Sequence, residues 1–203
     1  MKIFIARHGR TNLNEERRLA GNSNVAQLIE DGIKHAENLA EFLLDKKIGR
    51  IFCSPLNRAI ETATPISKKI GVQIEKSDAL REFDFGKLDG KLENGEAFDF
   101  LVKRRSDLNF KAPDGESYND VTKRVEFFLE KIREIDGKNI LIVGHGGVNR
   151  VLLSLLLKYS GNMDQIDVPN NKIYIFDTKS GELKWVDSSN GELGAGLSFR
   201  EGY

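Results

Sequence analysis

A chain of 203 residues is the size of one domain, and 39% hydrophobic residues supply a single core. Its 31 basic and 31 acidic residues cancel, so no bulk positive field draws in nucleic acid or an anionic membrane; any anion must be held locally. The single cysteine, Cys53, excludes an intramolecular disulfide and a cysteine-rich zinc module and points to a cytoplasmic protein.

Along the chain, Lys2-Ile3-Phe4-Ile5-Ala6 is an apolar run that predicts a buried strand rather than a signal peptide. Residues 31–47 carry Ile33, Ala36, Ala40, Leu43 and Leu44 at three- and four-residue steps, an amphipathic helix. Residues 48–53 predict a second buried strand. Pro55 follows where a first helical turn tolerates a missing N–H, and the next helix buries Ala59, Ile60, Ala63 and Ile66, with a kink or break expected at Pro65. Residues 72–75 predict a short strand. Periodicity is weak over 81–113, apart from a short helix at about 98–105.

Ser117 and Asp120 form a capping-box pattern that opens a helix carrying Val121, Val125, Phe128, Leu129, Ile132 and Ile135, and Gly137 is expected to end it. Residues 139–143 predict a core strand, which Gly144-His145-Gly146-Gly147 turns into an apolar helix over 148–159. The run from Val151 to Leu157 is too short to span a bilayer. Strands over 172–177 and 183–187 flank a Ser180-Gly181 turn, and a flexible C-terminal tail is expected from about residue 188.

Strands alternating with helices imply a three-layer α/β domain, its central sheet mostly parallel and covered by helices on both faces. Ligands in such sheets sit beyond the carboxyl ends of the strands. The turns there hold Arg7-His8-Gly9, Ser54-Pro55 with Arg58, and Gly144-His145-Gly146. An imidazole neutral at pH 7 is a nucleophile, base or metal ligand, and arginine forks match phosphate or carboxylate oxygens. Two histidines converging with two arginines suit a phosphoryl group: one imidazole attacks phosphorus while the other groups hold the equatorial oxygens. A lone histidine is more often an ordinary core or surface residue, but glycines beside both let the backbone approach a ligand closely. A metal site would need further ligands, and the remaining histidine, His35, reads as lying on a helix near the surface; no metal and no cofactor are expected. Gly144-His145-Gly146 fails as a dinucleotide loop because Asn149 stands at the third glycine position, and Cys53 reads as a buried small hydrophobe.

These residues resemble a known family. Arg7-His8-Gly9-Arg10-Thr11 with Asn14, then Ser54-Pro55-Leu56 with Arg58, Ala59, Thr62 and Ala63, are similar to the first two motifs of the histidine phosphatase (phosphoglycerate mutase-like) superfamily. Leu80-Arg81-Glu82-Phe83 and Gly144-His145-Gly146-Gly147 resemble its acidic and second histidine motifs, in the same order, and the likeness runs from Met1 to about Ile175. The resemblance implies a phosphoglycerate mutase-like fold and a metal-independent histidine phosphatase acting on a small phosphorylated substrate. His8 would become phosphohistidine; Arg7, Arg58 and His145, with Asn14 and Gly146, would form the phosphate pocket. Glu82 would protonate the leaving oxygen and later activate water.

The chain departs from the pattern at Arg10, where an acidic residue is usual, at Leu88-Asp89-Gly90 in place of Trp-Glu-Gly, and across residues 18–32. Arg10 would either extend the positive pocket or face solvent. A compact lid or insertion at about 87–113 would admit water and favour hydrolysis, and its Lys103-Arg104-Arg105 would be a solvated helix face or extra anion contacts. Mutase-type phosphoryl transfer and a non-catalytic phosphate-ligand binding module are the alternatives.

Overall fold

The first strand is β1 (Lys2–Arg7), with Ile3, Phe4, Ile5 and Ala6 all buried, as a strand covered on both faces requires. It lies inside the sheet of a computed structural model that describes residues 1–135 and 137–200. Among those residues, β1 is joined by β2 (Ile48–Cys53), β3 (Ile74–Lys76), β4 (Asn139–Gly144), β5 (Lys172–Asp177), β6 (Leu183–Asp187) and β7 (Leu193–Ala195) in the order β3-β2-β4-β1-β5-β6-β7. The α/β class is as expected, but the sheet is mixed rather than mostly parallel. β3, β2, β4 and β1 are parallel neighbours, whereas β5, β6 and β7 continue the sheet antiparallel. Gly181, at φ 75°, makes the turn between β5 and β6, and a connection that short joins only antiparallel strands.

The helices are α1 (Asn12–Glu15), α2 (Glu30–Leu43), α3 (Asn57–Ile70), α4 (Gly95–Ser106), α5 (Tyr118–Arg133) and α6 (Gly146–Leu157). Alternation along the strands divides the core into two layers. Ile3, Ile5, Ile140 and Ile142 pack with Val121, Val125, Val148 and Val151 of α5 and α6. Phe4, Ala6, Leu141 and Val143 pack with Leu39, Leu43, Ala59 and Ile66 of α2 and α3 on the other face. No helix among the described residues is long and apolar enough to cross a membrane.

Several local expectations change. Pro65 neither breaks nor ends α3, because the residue whose carbonyl loses its helical donor, Glu61, is exposed to water. α5 ends at Arg133, ahead of Gly137. After residue 188, where no period is visible, β7 pairs with β6 and Phe199 bridges Ile166; three residues are too few to show an alternation. α6 begins at Gly146 rather than Val148, so both glycines belong to its first turn. That shift aims the amides of Gly147 and Val148 at the candidate site.

Candidate active site

The carboxyl ends of β1, β2 and β4 converge on a cavity of about 180 Å³. Arg7, His8, Asn14, Arg58, Glu82 and Gly146 all line it. The turn after β1 enters it because Gly9 and Gly32 touch backbone to backbone; a Cβ on Gly9 would overlap the Gly32 carbonyl. The Gly9 amide donates to Thr62 Oγ1 (2.9 Å), whose hydroxyl donates to the Arg58 carbonyl, tying β1 to α3. Asn170 Nδ2 donates to the His8 carbonyl and Asn149 Nδ2 to that of Ala6, so His8 is held from three sides.

His8 is 2% exposed and Nδ1 lies 2.7 Å from the Gly9 carbonyl. A carbonyl only accepts, so Nδ1 carries the proton and Nε2 presents its lone pair. Burial, reinforced by the Arg58 and Arg7 charges, holds the His8 pKa well below its usual value, which keeps the ring neutral.

His145 is fully buried, with its ring centroid 5.1 Å from that of His8. Arg58 Nε donates to its Nδ1 (3.2 Å), so Nε2 bears the proton and donates to Ser54 Oγ (2.7 Å). Burial and the Arg58 charge also push its pKa well down. The structure therefore sets His145 behind the cavity wall, as the group that orients Arg58. Arg58 spends its other nitrogens on the Ser23 and Gly21 carbonyls at 2.8 and 2.7 Å. Asp89 secures that turn by accepting the Asn22 and Phe85 amides, and burial raises its carboxyl to about 6.

Arg7 Nη1 donates to the Val168 carbonyl (2.9 Å), while its Nε is buried with no protein acceptor. Burial and the neighbouring Arg150 charge lower its pKa to about 10. Asn14 uses Oδ1 in a capping box with Thr11, which leaves the amide NH₂ as its donor end. The Glu82 carboxylate sits on the first turn of α6: Oε2 accepts the Gly147 amide (2.9 Å) and Oε1 those of Val148 (3.1 Å) and Phe83 (3.0 Å). The cavity thus combines an unprotonated imidazole nitrogen, cationic donors and a carboxyl group, the set that phosphoryl transfer uses.

Against this geometry the comparisons are direct. The model of the histidine phosphatase superfamily (branch 1) matches residues 3–190. The chain belongs to that superfamily. A Hydrogenobacter thermophilus protein provisionally named phosphoserine phosphatase 2 is 32% identical over 76% of this chain and 78% of its own. Phosphoglycerate mutase-like protein 4 of Arabidopsis thaliana is 30% identical over 91% and 82%. A solved mycobacterial glucosyl-3-phosphoglycerate phosphatase, in complex with VO3, superposes with a TM-score of 0.80 over 98% and 97% of the two chains at 22% identity, a likeness of fold. As a histidine phosphatase the chain is an enzyme of the phosphatase class.

Of the two alternatives for Arg10, the structure has it facing solvent, paired with Glu15 and Asp31. Other placements differ from the sequence reading. His35 is buried rather than near the surface, with Nδ1 3.2 Å from Ser188 Oγ and its pKa pushed down by burial to about 4. Of the basic trio in α4, Arg104 is buried between Phe83 and Tyr118, 4.1 and 4.2 Å from their ring centres, and only Lys103 keeps to the outer face. Arg104, Arg105, Leu101 and Glu93 carry the 87–113 segment into the cavity wall. Sequence reasoning missed Arg150, 7% exposed on α6 and facing the cavity. Its signal was a lone charge inside an otherwise apolar helix. No group of three or more His, Cys, Asp or Glu side chains among the described residues is placed to hold a metal ion.

Proposed function

We propose that the protein hydrolyses phosphomonoesters of small metabolites through a phosphohistidine on His8, in the cytoplasm and without nucleic acid or membrane partners. The observation that carries this reading is the His8 Nδ1–H bond to the Gly9 carbonyl, which frees Nε2 for attack. Nε2 attacks phosphorus, the ester P–O bond breaks, and Glu82 passes a proton to the leaving alkoxide. Glu82 then takes a proton from water, whose oxygen attacks phosphorus; inorganic phosphate leaves and His8 is regenerated. Arg7 Nε and the Asn14 amide stand ready for the phosphoryl oxygens, while His145 and the turn 21–23 hold Arg58 in register. The phosphatase names of the relatives support hydrolysis, and the mutase-like relative keeps transfer as the reading to test against.

Turnover of p-nitrophenyl phosphate with and without bisphosphoglycerate and a chelator separates the outcomes. Hydrolysis that survives the chelator and needs no bisphosphate supports the phosphatase, whereas transfer dependent on the bisphosphate would replace it with a mutase. His8→Ala is expected to lose at least about 10³-fold in turnover together with all acid-labile protein phosphate. Glu82→Gln should slow turnover about 10²- to 10⁴-fold and still bind phosphate. Undiminished turnover by His8→Ala would overturn the nucleophile assignment.

A further inference from the structure

One departure from the superfamily pattern, Leu88-Asp89-Gly90, takes no part in the proposed reaction. The Asp89 carboxyl group nevertheless joins the two sides of the cavity. Its Oδ2 accepts the Asn22 amide (3.1 Å) and its Oδ1 the Phe85 amide (3.2 Å), one bond to the turn that holds Arg58 and one to the loop that carries Glu82. Oδ1 also packs on the Gly21 backbone, so closely that a Cβ at residue 21 would overlap it. Backbone bonds continue the seam, from the Gly90 amide to the Leu19 carbonyl (2.7 Å) and from the Leu19 amide to the Lys91 carbonyl (2.9 Å). Asn22 is tethered further, its Nδ2 donating to Asp84 Oδ2 (3.3 Å) and its Oδ1 accepting from Arg81 Nη1 (3.2 Å).

What the seam serves is Arg58. A guanidinium has five N–H donors. Arg58 gives three of them to His145, Ser23 and Gly21, which leaves one on each Nη for the cavity that it lines. The direction of those two donors is set by where the Gly21 and Ser23 carbonyls stand, and Asp89 holds the residue between them. Burial and the Asp84 charge raise the Asp89 carboxyl to about 6, against the pull of the two amides and of Arg58, so at pH 7.5 it is ionised. Arg18 on the Gly90 carbonyl and Arg81 on Asn22 are the charges on its two flanks, each paired with an acid, Glu16 and Asp78. A carboxylate accepts on both oxygens; an amide of the same shape accepts on one and turns an NH₂ towards a backbone N–H.

Resting on the phosphate-ester reading, we propose that Asp89 is a positioning residue for phosphate binding, acting through the 21–23 turn to aim Arg58 at the phosphoryl oxygens. The negative charge itself works the other way, since a carboxylate near an anion site weakens anion binding by Coulomb repulsion. Positioning and charge therefore predict opposite signs when the charge is removed.

The dissociation constant of inorganic phosphate, measured by calorimetry at pH 7.5, reads that sign without turnover. Asp89→Asn is expected to weaken phosphate binding about tenfold or more and to raise KM for p-nitrophenyl phosphate by a similar factor, with a smaller change in kcat. In an Arg58→Lys background, where a single ammonium cannot span both carbonyls, the same substitution should add less than about twofold. Unchanged or tighter phosphate binding by Asp89→Asn, or an equal loss in both backgrounds, would overturn the assignment. Asp89→Glu keeps the charge and both acceptors but sets them one methylene further out, against Gly21, and its affinity should fall between. If Asp89→Asn does not fold, weakened binding by Asp89→Glu supports the assignment and native affinity overturns it. A native enzyme that binds phosphate but turns over no ester would end the hydrolytic reading alone, and the same constants would still decide the role of Asp89.

Discussion

At Gly147 an added methyl group would come within 2.5 Å of Glu82 Oε1 and 2.6 Å of the Phe83 ring. Neither neighbour can retreat, since Glu82 is fixed by three backbone amides and Phe83 is fully buried. Gly147→Ala should therefore displace the carboxyl and lower kcat by about ten- to a hundredfold, while the inhibition constant of inorganic phosphate changes far less. Equal losses in both would mean that the glycine serves the phosphate pocket instead. Its neighbour Gly146 was legible because a glycine beside a histidine at a strand end has few other uses, whereas Gly147 stood out only as part of the second histidine motif. Arg150 and Thr62 were harder to assign: one arginine in an apolar helix and one threonine facing a neighbouring turn show no pattern until the fold supplies their partners.

The loop that carries Glu82 has no regular structure, and an arginine of α5 holds it. Arg124 Nη1 donates to the Ala79 and Arg81 carbonyls (2.7 and 2.9 Å), Nη2 to the Glu82 carbonyl (3.3 Å), and Nε and Nη2 to the Glu116 carboxylate (both 2.9 Å). Glu116 in turn accepts the Asp84 amide (3.0 Å), so one side chain of a helix spans both flanks of the loop. Arg124→Met should cost about 2–4 kcal/mol in urea unfolding and lower kcat about tenfold, with KM less affected. An unchanged kcat in a destabilised variant would confine the clamp to stability. The elements themselves divide by how locally they are encoded. β2, β5 and β6 match their expected limits because continuous or alternating apolar runs between turn residues encode a strand on their own, and Ser117 and Asp120 announce α5. Strand direction is not local, which is why the antiparallel half of the sheet escaped a reading based on alternation. Arg104 was indistinguishable from its solvated neighbours because its aromatic partners Phe83 and Tyr118 lie elsewhere in the chain.

For the whole molecule, the protonation that makes the site work also sets its acid limit. All three histidines are buried: His8 and His145 have pKa values held well below the usual one, and that of His35 lies at about 4. Unfolding returns each to about 6.5, so below that pH the unfolded chain binds more protons than the folded one, and stability is lost as pH falls. Asp89 acts in the opposite sense. Its carboxyl, raised by burial to about 6 from 3.8, holds a proton in the folded chain over that window, which favours the fold on acidification. Three histidines against one carboxyl leave a net uptake of about two protons on unfolding near pH 5.5. The urea midpoint should accordingly fall between pH 7 and pH 5.5, and His35→Gln, which removes one titrating ring away from the nucleophile, should reduce the uptake by about one proton. A midpoint independent of pH across that range would mean that the rings titrate as freely in the folded protein as in the unfolded chain. His8 would then not be held neutral by its surroundings, and its readiness as a nucleophile would need another cause.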